Sequence, residues 1–177
     1  MSENPSRKHS PRLMQRLRAL PFRLPVVQRF WAKRHRAPVS GDLPWTPLRK
    51  TLADCTVALV TTGGVHLRVD RPFDMSDPDG DPGLRIIPSH ATAEALTITH
   101  DYYDHRDADR DVNVVFPIDP LRTLHDEGCI GPAAPSFYGL MGHIRGAHVE
   151  SLLRVTAPAL AARMTAEGVD VAILTPA

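Results

Sequence analysis

The densest group of side chains capable of chemistry lies between residues 97 and 111. His100, Asp104 and His105 stand close together, and further carboxylates follow at Asp107, Asp109 and Asp111. Imidazole and carboxylate groups are ligands for zinc, iron or manganese, and histidine, whose side chain ordinarily titrates with a pKa of ~6.5, can also carry protons at neutral pH. We predict that His100, Asp104 and His105 are catalytic and carry protons. One alternative is a metal-dependent enzyme that uses the His100–Asp111 cluster to activate water; another is a solvated run paired with Arg106 and Arg110.

A second candidate site follows the strand predicted at residues 56–61. The chain leaves this strand as Thr-Thr-Gly-Gly-Val-His at residues 61–66, and backbone N–H groups in such a turn can face an anion. The turn is not a dinucleotide-binding fingerprint, because the second glycine spacing is absent and no helix is evident after it. We predict that this site binds a substrate carboxylate through Thr62, Gly63, Gly64 and His66. The alternative is a tight strand exit.

His143 follows a further possible strand end and is predicted to line the same site, with a packed, hydrogen-bonded histidine as the alternative. Asp77, Asp79 and Asp81 imitate the start of a calcium loop, but Pro82 stands where that loop needs glycine. Cys129 has no neighbouring base and is predicted to be a small buried thiol. The two cysteines have no metal-binding spacing, which indicates a reducing cytoplasm.

Strands alternate with helices along most of the chain. The apolar, β-branched run at residues 56–61 is typical of a central parallel strand that is buried on both faces. Phe73–Pro88 is predicted to be a long ordered loop. Helices are predicted from Asp119, as a cap, to Gly128, with Leu121 and Leu124 facing inward, and over Ala147–Glu167 with a kink or restart at Pro158. Further strands are predicted at Leu96–Thr99, Val112–Phe116, Ser136–Met141 and Val169–Leu174.

This order of elements predicts an α/β protein with a Rossmann-like or flavodoxin-like three-layer sheet. The last strand is predicted to be buried, and it runs into Thr175-Pro176-Ala177 with no returning helix. Ligands of open parallel sheets bind beyond the carboxyl ends of the strands. We therefore expect an incomplete sheet with Ala177 at the margin of a site.

Charge is distributed unevenly. Residues 1–50 contain 12 Lys or Arg against 2 Asp or Glu, whereas residues 51–177 contain 9 against 18. We predict a basic, partly disordered arm and Pro-rich linker at residues 1–44 and an α/β domain at residues 45–177. Leu13, Leu17 and Leu20 have helical spacing and favour docking on the domain or a partner, whereas a non-enzymatic nucleic-acid-binding arm is the alternative. No stretch approaches the ~20 apolar residues of a membrane span, so we predict a cytoplasmic protein.

Several segments together carry a family resemblance. They are residues 57–67, 72–75, 77–82, 97–111 and 139–144, which include Pro-Phe-Asp-Met, Thr-Ile-Thr-His-Asp-Tyr-Tyr-Asp-His and Gly-Leu-Met-Gly-His-Ile. From about Trp45 to its last residue, the chain resembles the selenoprotein B family of glycine, sarcosine, betaine and D-proline reductases. The resemblance implies an oxidoreductase that reductively cleaves a C–N bond in a small amino acid or betaine, with electrons from a thiol reductant.

In that family, a strand ending in Leu-Thr-Pro is followed by a redox-active selenocysteine or cysteine. The resemblance therefore implies that this residue comes just after Ala177, where the chain reads Leu174-Thr175-Pro176-Ala177. Because selenocysteine is encoded by UGA, which is ordinarily read as stop, we expect the chain to be the N-terminal part of a longer selenoprotein. The resemblance implies no cofactor on this chain itself and a pyruvoyl group on a partner subunit.

Overall fold

The computed structural model describes residues 46–177, together with residues 26, 29 and 30, which are helical. The chain divides into two units, one of residues 1–46 with 101–104 and one of residues 47–100 with 105–177. The predicted helix with Leu13, Leu17 and Leu20, the Pro-rich linker and the boundary after residue 44 lie outside the described residues.

The larger unit is a mixed α/β structure. Its strands are β1 (Val57–Thr61), β2 (Val65–Leu67), β3 (Arg85–Pro88), β4 (Leu96–Ile98), β5 (Ser136–Gly139) and β6 (Val171–Thr175). Its helices are α1 (Ile118–Asp126), α2 (Ala147–Ser151) and α3 (Ala157–Ala166), with a π-helical turn, Leu152–Thr156, between the last two. Short 3₁₀ turns occur at Leu52–Asp54, Ala93–Ala95 and Val112–Val114.

Four of the strands form one sheet in the order β3-β5-β1-β6, and β2 pairs with β4 in a separate antiparallel ribbon. Strand β1 runs parallel to both β5 and β6, whereas β3 is antiparallel to β5 at one margin of the sheet. The mostly parallel sheet confirms the predicted α/β class. Because the three parallel strands point the same way, their carboxyl ends lie along one margin of the sheet.

The core lies on the two central strands. All five residues of β1 and all four of β5 are buried, which confirms the prediction that the run at residues 56–61 is a central strand. Phe116 packs edge-on against Phe137, with ring centroids 6.0 Å apart, and Ile118 and Leu121 of α1 are also buried. These apolar side chains cover β5, so the strand is shielded from water.

Strand β6 differs from its prediction as a buried strand. Its residues alternate between half-buried and exposed, and Leu174 is 69% exposed. Within the described residues, β6 pairs only with β1. Its apolar sequence predicted burial wrongly because burial of a strand depends on a neighbour along the sheet and on cover over its faces.

The long C-terminal helix restarts next to Pro158, as predicted, because α3 begins at Ala157 after the π-helical turn. The Ala157 N–H donates to the carbonyl of Leu152, five residues earlier, and Pro158 then stands in the first turn of α3. Proline has no N–H to donate, so the wider turn accommodates it without ending the helix. Of the predicted apolar positions, Leu160 is buried and Leu153 is 62% exposed.

Four local predictions are wrong in part. Residues 85–88 form β3 rather than the end of a loop, and residues 112–114 form a 3₁₀ turn rather than a strand. Helix α1 begins at Ile118, so Asp119 lies in its first turn and does not cap it, although Gly128 follows its end with φ +71°. Leu121 is buried as predicted, but Leu124 is 40% exposed, because only one side of the short helix contacts the sheet.

None of the helices in the described part of the chain has the length and apolar character required to cross a bilayer.

Candidate active site at the carboxyl margin of the sheet

The ends of β1, β5 and β6 meet in register. Thr61 is paired with Gly139 on one side and with Thr175 on the other. Each strand then continues into a short segment that begins at Thr62, Leu140 or Pro176. The site is therefore built from three strand exits, as the rule for parallel sheets predicts.

The first exit binds the last one. The backbone amide of Ala177 donates to the hydroxyl of Thr62 over 3.1 Å. The Thr62 amide donates to the carbonyl of Thr175 over 3.2 Å, and the hydroxyl of Thr61 donates to the same carbonyl over 3.1 Å. These bonds fix the position of Ala177 beside the turn that follows β1.

The exit of β5 brings His100 to the same place. His100 is 3% exposed, and its Nε2 accepts a hydrogen bond from the Gly142 amide over 3.2 Å. A Cβ atom on Gly142 would lie 3.0 Å from the carbonyl oxygen of Ala177 and 3.3 Å from the carbonyl of Thr62. Gly142 therefore contacts both the predicted proton carrier His100 and Ala177, the residue that follows the exit of β6.

The predicted anion-binding turn is organised differently from the expectation. The Gly63 N–H donates to the hydroxyl of Thr61 over 3.0 Å, and the Gly64 N–H donates to the carbonyl of Leu140 over 2.9 Å. The Thr62 N–H is bonded to Thr175. The Thr62 and Gly64 donors therefore join the exit of β1 to β6 and to the segment after β5, and the hydroxyl of Thr62 contacts Ala177 beyond β6.

His66 lies in β2 and is 1% exposed. Its Nδ1 is 2.7 Å from the carbonyl of Leu67 and its Nε2 is 2.9 Å from the hydroxyl of Thr99. A carbonyl can only accept, so the neutral ring carries its proton on Nδ1 and accepts from Thr99 at Nε2. The ring therefore ties β2 to the segment after β4 and supports the turn at residues 62–64.

His143 follows Gly142 and contacts the loop at residues 77–82. Its Nε2 donates to the carbonyl of Pro78 over 3.0 Å. A Cβ atom on Gly80 would lie only 1.8 Å from the carbonyl oxygen of His143. The loop therefore lies directly on the segment that contains His143.

His105 forms a local ion pair. Its Nδ1 donates to the Asp109 carboxylate over 2.8 Å, and the next pair, Arg110 with Asp107, is largely exposed. Asp104 is exposed and belongs to the smaller unit. Among the residues that the structure describes, no group of three or more His, Cys, Asp and Glu side chains is placed to hold a metal ion.

A cavity of about 620 Å³ lies beside β3, mainly between the loop at residues 70–86 and His148. Arg85 begins β3 opposite Gly139, which places this cavity at the carboxyl margin of β5. The guanidinium of Arg85 binds Asp81 over 3.0 Å and lies 4.2 Å above the ring of Phe73. The walls carry both carboxylates and cations, namely Asp70, Asp74, Asp77 and Asp81 with Arg71, Arg85 and His148.

Three carboxylates of this cavity have a lowered pKa. Burial alone would raise the pKa of Asp81, but hydrogen bonds from the N–H groups of Gly83 and Asp74 and from Arg85 outweigh it and lower the pKa. The hydrogen bond from the Ser76 hydroxyl lowers the pKa of Asp74. The hydrogen bond from His148 lowers the pKa of Asp77. The sequence showed the repeated Asp and Pro of this loop but not its cavity, because Arg85 and His148 come from outside the Asp-rich stretch.

The cysteines differ in exposure. Cys55 is buried, and its Sγ is 3.1 Å from the carbonyl of Thr51. Cys129 is exposed, so its prediction as a buried thiol is wrong; it follows the end of α1 on the surface. Neither thiol lies among the residues of the strand exits described above.

Comparison with known proteins agrees with the resemblance seen in the sequence. The family model for the glycine/sarcosine/betaine reductase selenoprotein B matches residues 31–177. The D-proline reductase subunit gamma of Acetoanaerobium sticklandii is 41% identical over 138 residues, covering 78% of this chain and 55% of that protein. The glycine reductase complex component B subunit gamma of Carboxydothermus hydrogenoformans is 32% identical over 152 residues, covering 78% of this chain and 32% of that protein.

The betaine reductase complex component B subunit beta of Peptoclostridium acidaminophilum is 33% identical over 96 residues, covering 52% of this chain and 22% of that protein. The chain spans about half the length of the first relative and about a third of the second. No solved structure matches the chain. The match to the family model over most of the sequence means that the chain belongs to the glycine/sarcosine/betaine reductase selenoprotein B family.

Proposed function

We propose that this chain is part of a reductase subunit that cleaves a C–N bond of a small amino acid or betaine. It acts with a partner subunit, which carries the pyruvoyl group, and with a dithiol reductant. The names of its relatives, which are subunits of D-proline, glycine and betaine reductases, support this class of reaction. Such a reductase works in the cytoplasm, where thiols are kept reduced.

The observation that carries this proposal is the meeting of Ala177 with Thr62, Gly142 and His100 at the carboxyl margin of the sheet. We place the selenocysteine or cysteine nucleophile of the family directly after Ala177, beside the residues that meet at this margin of the sheet. The match to the selenoprotein B family model supports this placement. A selenol is more acidic than a thiol and supplies an ionised nucleophile at neutral pH.

In this proposal each residue has a role that follows from its position. Thr62 orients the end of β6, and Gly63 and Gly64 form the turn on which the substrate rests. His66 supports that turn through Thr99. His100 carries the proton for the departing amine.

The remaining predicted site residues lie outside this contact network. His105, held by Asp109, relays protons between the site and solvent, and Asp104 contributes negative charge next to it in the sequence. His143 positions the loop that borders the cavity, through its bond to Pro78. A small zwitterion needs a cation for its carboxylate and a carboxylate for its amine, and Arg71 with Asp74 in the cavity meets that need.

The proposal also includes a fold and a division of the chain into regions. The sheet is part of a three-layer Rossmann-like fold, in which a further strand adjoins β6 and covers Leu174. Residues 1–44, with ten Lys or Arg against two Asp or Glu, remain a separate basic region in this proposal, although the family match begins at residue 31, within that region.

The test is reductive cleavage by the completed protein. The reading frame is extended through the codon after Ala177, with cysteine at that codon, and assembled with its partner subunit. D-proline, glycine, sarcosine and betaine are supplied with dithiothreitol, and the amine products are measured. Cleavage of one of them is expected, whereas cleavage of none by the assembled complex contradicts the proposal.

Two histidine variants refine the test. His100→Gln should reduce turnover about a hundredfold, because loss of a positioned proton carrier costs roughly 10²-fold or more. His105→Gln should reduce it less, since its ring is bound to a half-exposed carboxylate. The matched control is His90→Gln, because His90 is exposed in a turn; equal turnover in all three removes His100 from the mechanism.

Alkylation locates the nucleophile independently of turnover. In a Cys129→Ser background, which removes the exposed thiol, brief iodoacetamide treatment of the completed protein should label the cysteine after Ala177 well before Cys55. Mass spectrometry of the peptides gives the order. Earlier labelling of Cys55 would exclude the proposed position of the nucleophile.

A further inference from the structure

Gly142 occupies the contact point between His100 and the end of β6. Its N–H donates to His100 Nε2 over 3.2 Å. A Cβ atom at this position would lie 3.0 Å from the Ala177 carbonyl oxygen and 3.3 Å from both the carbonyl and the hydroxyl oxygens of Thr62. The backbone of Gly142 is outside the left-handed region, so the need for glycine here is a need for space rather than for an unusual conformation.

The hydrogen bond determines which nitrogen of His100 carries the proton. A backbone N–H can only donate, so Nε2 must accept and the neutral ring holds its proton on Nδ1. Protonation of Nε2 requires this bond to break. The Gly142 amide therefore sets both the tautomer and the orientation of the ring.

A second glycine supports the other end of the same side chain. A Cβ atom on Gly64 would lie 2.6 Å from the Cβ of His100 and 2.7 Å from the carbonyl oxygen of Thr99. Gly64 has φ +72°, and its carbonyl accepts from the Thr99 amide over 2.9 Å. The backbone of His100 thus packs against Gly64, which follows β1, while its ring is bound by Gly142, which follows β5.

We propose that Gly142 is a positioning residue of the reductase site, which acts through His100 and through the close approach of Ala177. The inference rests on the proposed function. Gly142 touches neither substrate nor cofactor in this role. It fixes the Nδ1–H tautomer of His100, and its missing side chain allows Ala177 to lie close to the backbone that binds this ring.

The first test uses the 177-residue chain and needs no activity. Long-range ¹H–¹⁵N correlation spectra report the tautomer of each histidine ring. In the wild-type chain, neutral His100 should have an unprotonated Nε2 and a protonated Nδ1. A His100 that carries its proton on Nε2 overturns the proposal, whatever any variant does.

The second test is Gly142→Ala, with Gly128→Ala as the matched control. Gly128 has φ +71° and open space where a Cβ would stand, so its substitution strains the backbone without touching the site. Gly142→Ala should give a mixture of His100 tautomers, whereas Gly128→Ala should leave the ring unchanged. An unchanged tautomer in Gly142→Ala contradicts the proposal.

The third test uses the completed protein with its partner subunit. Gly142→Ala should lower kcat with a smaller change in KM, because its Cβ must displace Ala177 and Thr62 from their positions and catalysis is sensitive to such misplacement. It should also shift the acid limb of the pH profile, which a purely structural change would leave in place. Wild-type kinetics in Gly142→Ala overturn the positioning role, whereas an inactive wild-type protein with the expected tautomer overturns the proposed function instead.

Discussion

The hydroxyl of Thr62 accepts a hydrogen bond from the backbone amide of Ala177 over 3.1 Å. The two residues are far apart in the sequence, and each comes just after the end of a strand, β1 for Thr62 and β6 for Ala177. Because β1 and β6 are parallel and in register up to Thr61 and Thr175, this bond extends their pairing beyond the sheet. The turn after β1 therefore helps to fix the position of Ala177, which follows β6.

Thr62→Val should release the end of β6 without unfolding the domain. The substitution keeps the shape of the side chain and removes the acceptor of a bond whose net contribution is about 0.5–1.5 kcal/mol. Hydrogen exchange of the Ala177 amide should accelerate by roughly two- to tenfold. Thr62→Ser retains the hydroxyl and should exchange like the wild type; equal protection in Thr62→Val would mean that the bond does not hold the chain end.

The ion pair between His148 and Asp77 should make stability depend on pH. Its hydrogen bond to Asp77 raises the pKa of His148 above the usual 6.5, and the same bond lowers the pKa of Asp77 below the usual 3.8. The histidine contribution is complete below pH 6.5 and is lost as pH rises through the raised pKa. The aspartate contribution is complete above pH 3.8 and is lost as pH falls through the lowered pKa.

The pair therefore stabilises the fold most between these two usual values, and Asp79 and Asp81 add to the effect on His148. Urea unfolding of wild type and His148→Gln should differ at about pH 5.5 and converge at about pH 9. Asp77→Asn should behave in the same way, and His90→Gln should show no such difference. A gap between wild type and His148→Gln that stays constant with pH would contradict this interpretation.

Tyr138 should ionise at a higher pH than an exposed tyrosine, and its ionisation should lower the free energy of unfolding. Burial, followed by its hydrogen bond to Glu167, raises the pKa of Tyr138 to about 12. Its contribution is present below the usual pKa of 10.0 and is lost as the pH rises from there through about 12. Tyr138→Phe should remove the tyrosinate absorbance that appears near that pH.

The same variant should also lower the free energy of unfolding near neutral pH. The Tyr138 hydroxyl donates to Glu167 over 3.1 Å, and a bond to a charged group contributes about 1.5–3 kcal/mol. Glu167→Gln keeps a hydrogen-bonding oxygen while removing the charge, so it should cost less. Denaturant unfolding of the two variants compares these contributions, and equal losses would show that the charge is decisive.

Leu174→Lys should suppress self-association of the 177-residue chain. Leu174 is 69% exposed on a strand that pairs only with β1 among the described residues, and an apolar sheet margin of this kind promotes pairing between chains. Sizing chromatography and ANS fluorescence should both show the decrease. Val69→Lys is the control, because Val69 is 90% exposed away from β6; a wild-type chain that is monodisperse at high concentration would remove the basis of this prediction.

The central strand was predictable because its burial has a local signature. Val57–Thr61 is continuous, apolar and rich in β-branched residues, and such a run is buried on both faces wherever it lies in a parallel sheet. Strand β6 has a similar sequence, but among the described strands it pairs only with β1 and is not buried. The burial of such a strand depends on which chain segment pairs on its other side, and its own sequence does not show this. Strand β3 was missed because the Arg-Ile-Ile-Pro segment lies between prolines and forms only by pairing with β5, about fifty residues later.

The sequence predicted that two strand ends meet, but not the hydrogen bonds that join them. The rule that parallel strands deliver their loops to one margin correctly brought Thr62 and Ala177 together. The rule gives no information on hydrogen bonding, so it could not predict that the Gly63 and Gly64 amides donate to Thr61 and Leu140. Gly142 carried a signal that was not used: a glycine just beyond a strand end, outside any turn signature, often marks a close approach of two backbones.

The π-helical turn at Leu152–Thr156 also has a consequence for sequence change. A π-helical turn contains one residue more than the α-helical turn it replaces, and here it stands immediately before Pro158. Deletion of a single residue within it would restore α-helical spacing but would leave the Pro158 ring against the carbonyl of the preceding turn. The helix can therefore absorb a one-residue deletion together with Pro158→Ala more readily than it can absorb the deletion alone, so the length of this segment and the identity of residue 158 should change together.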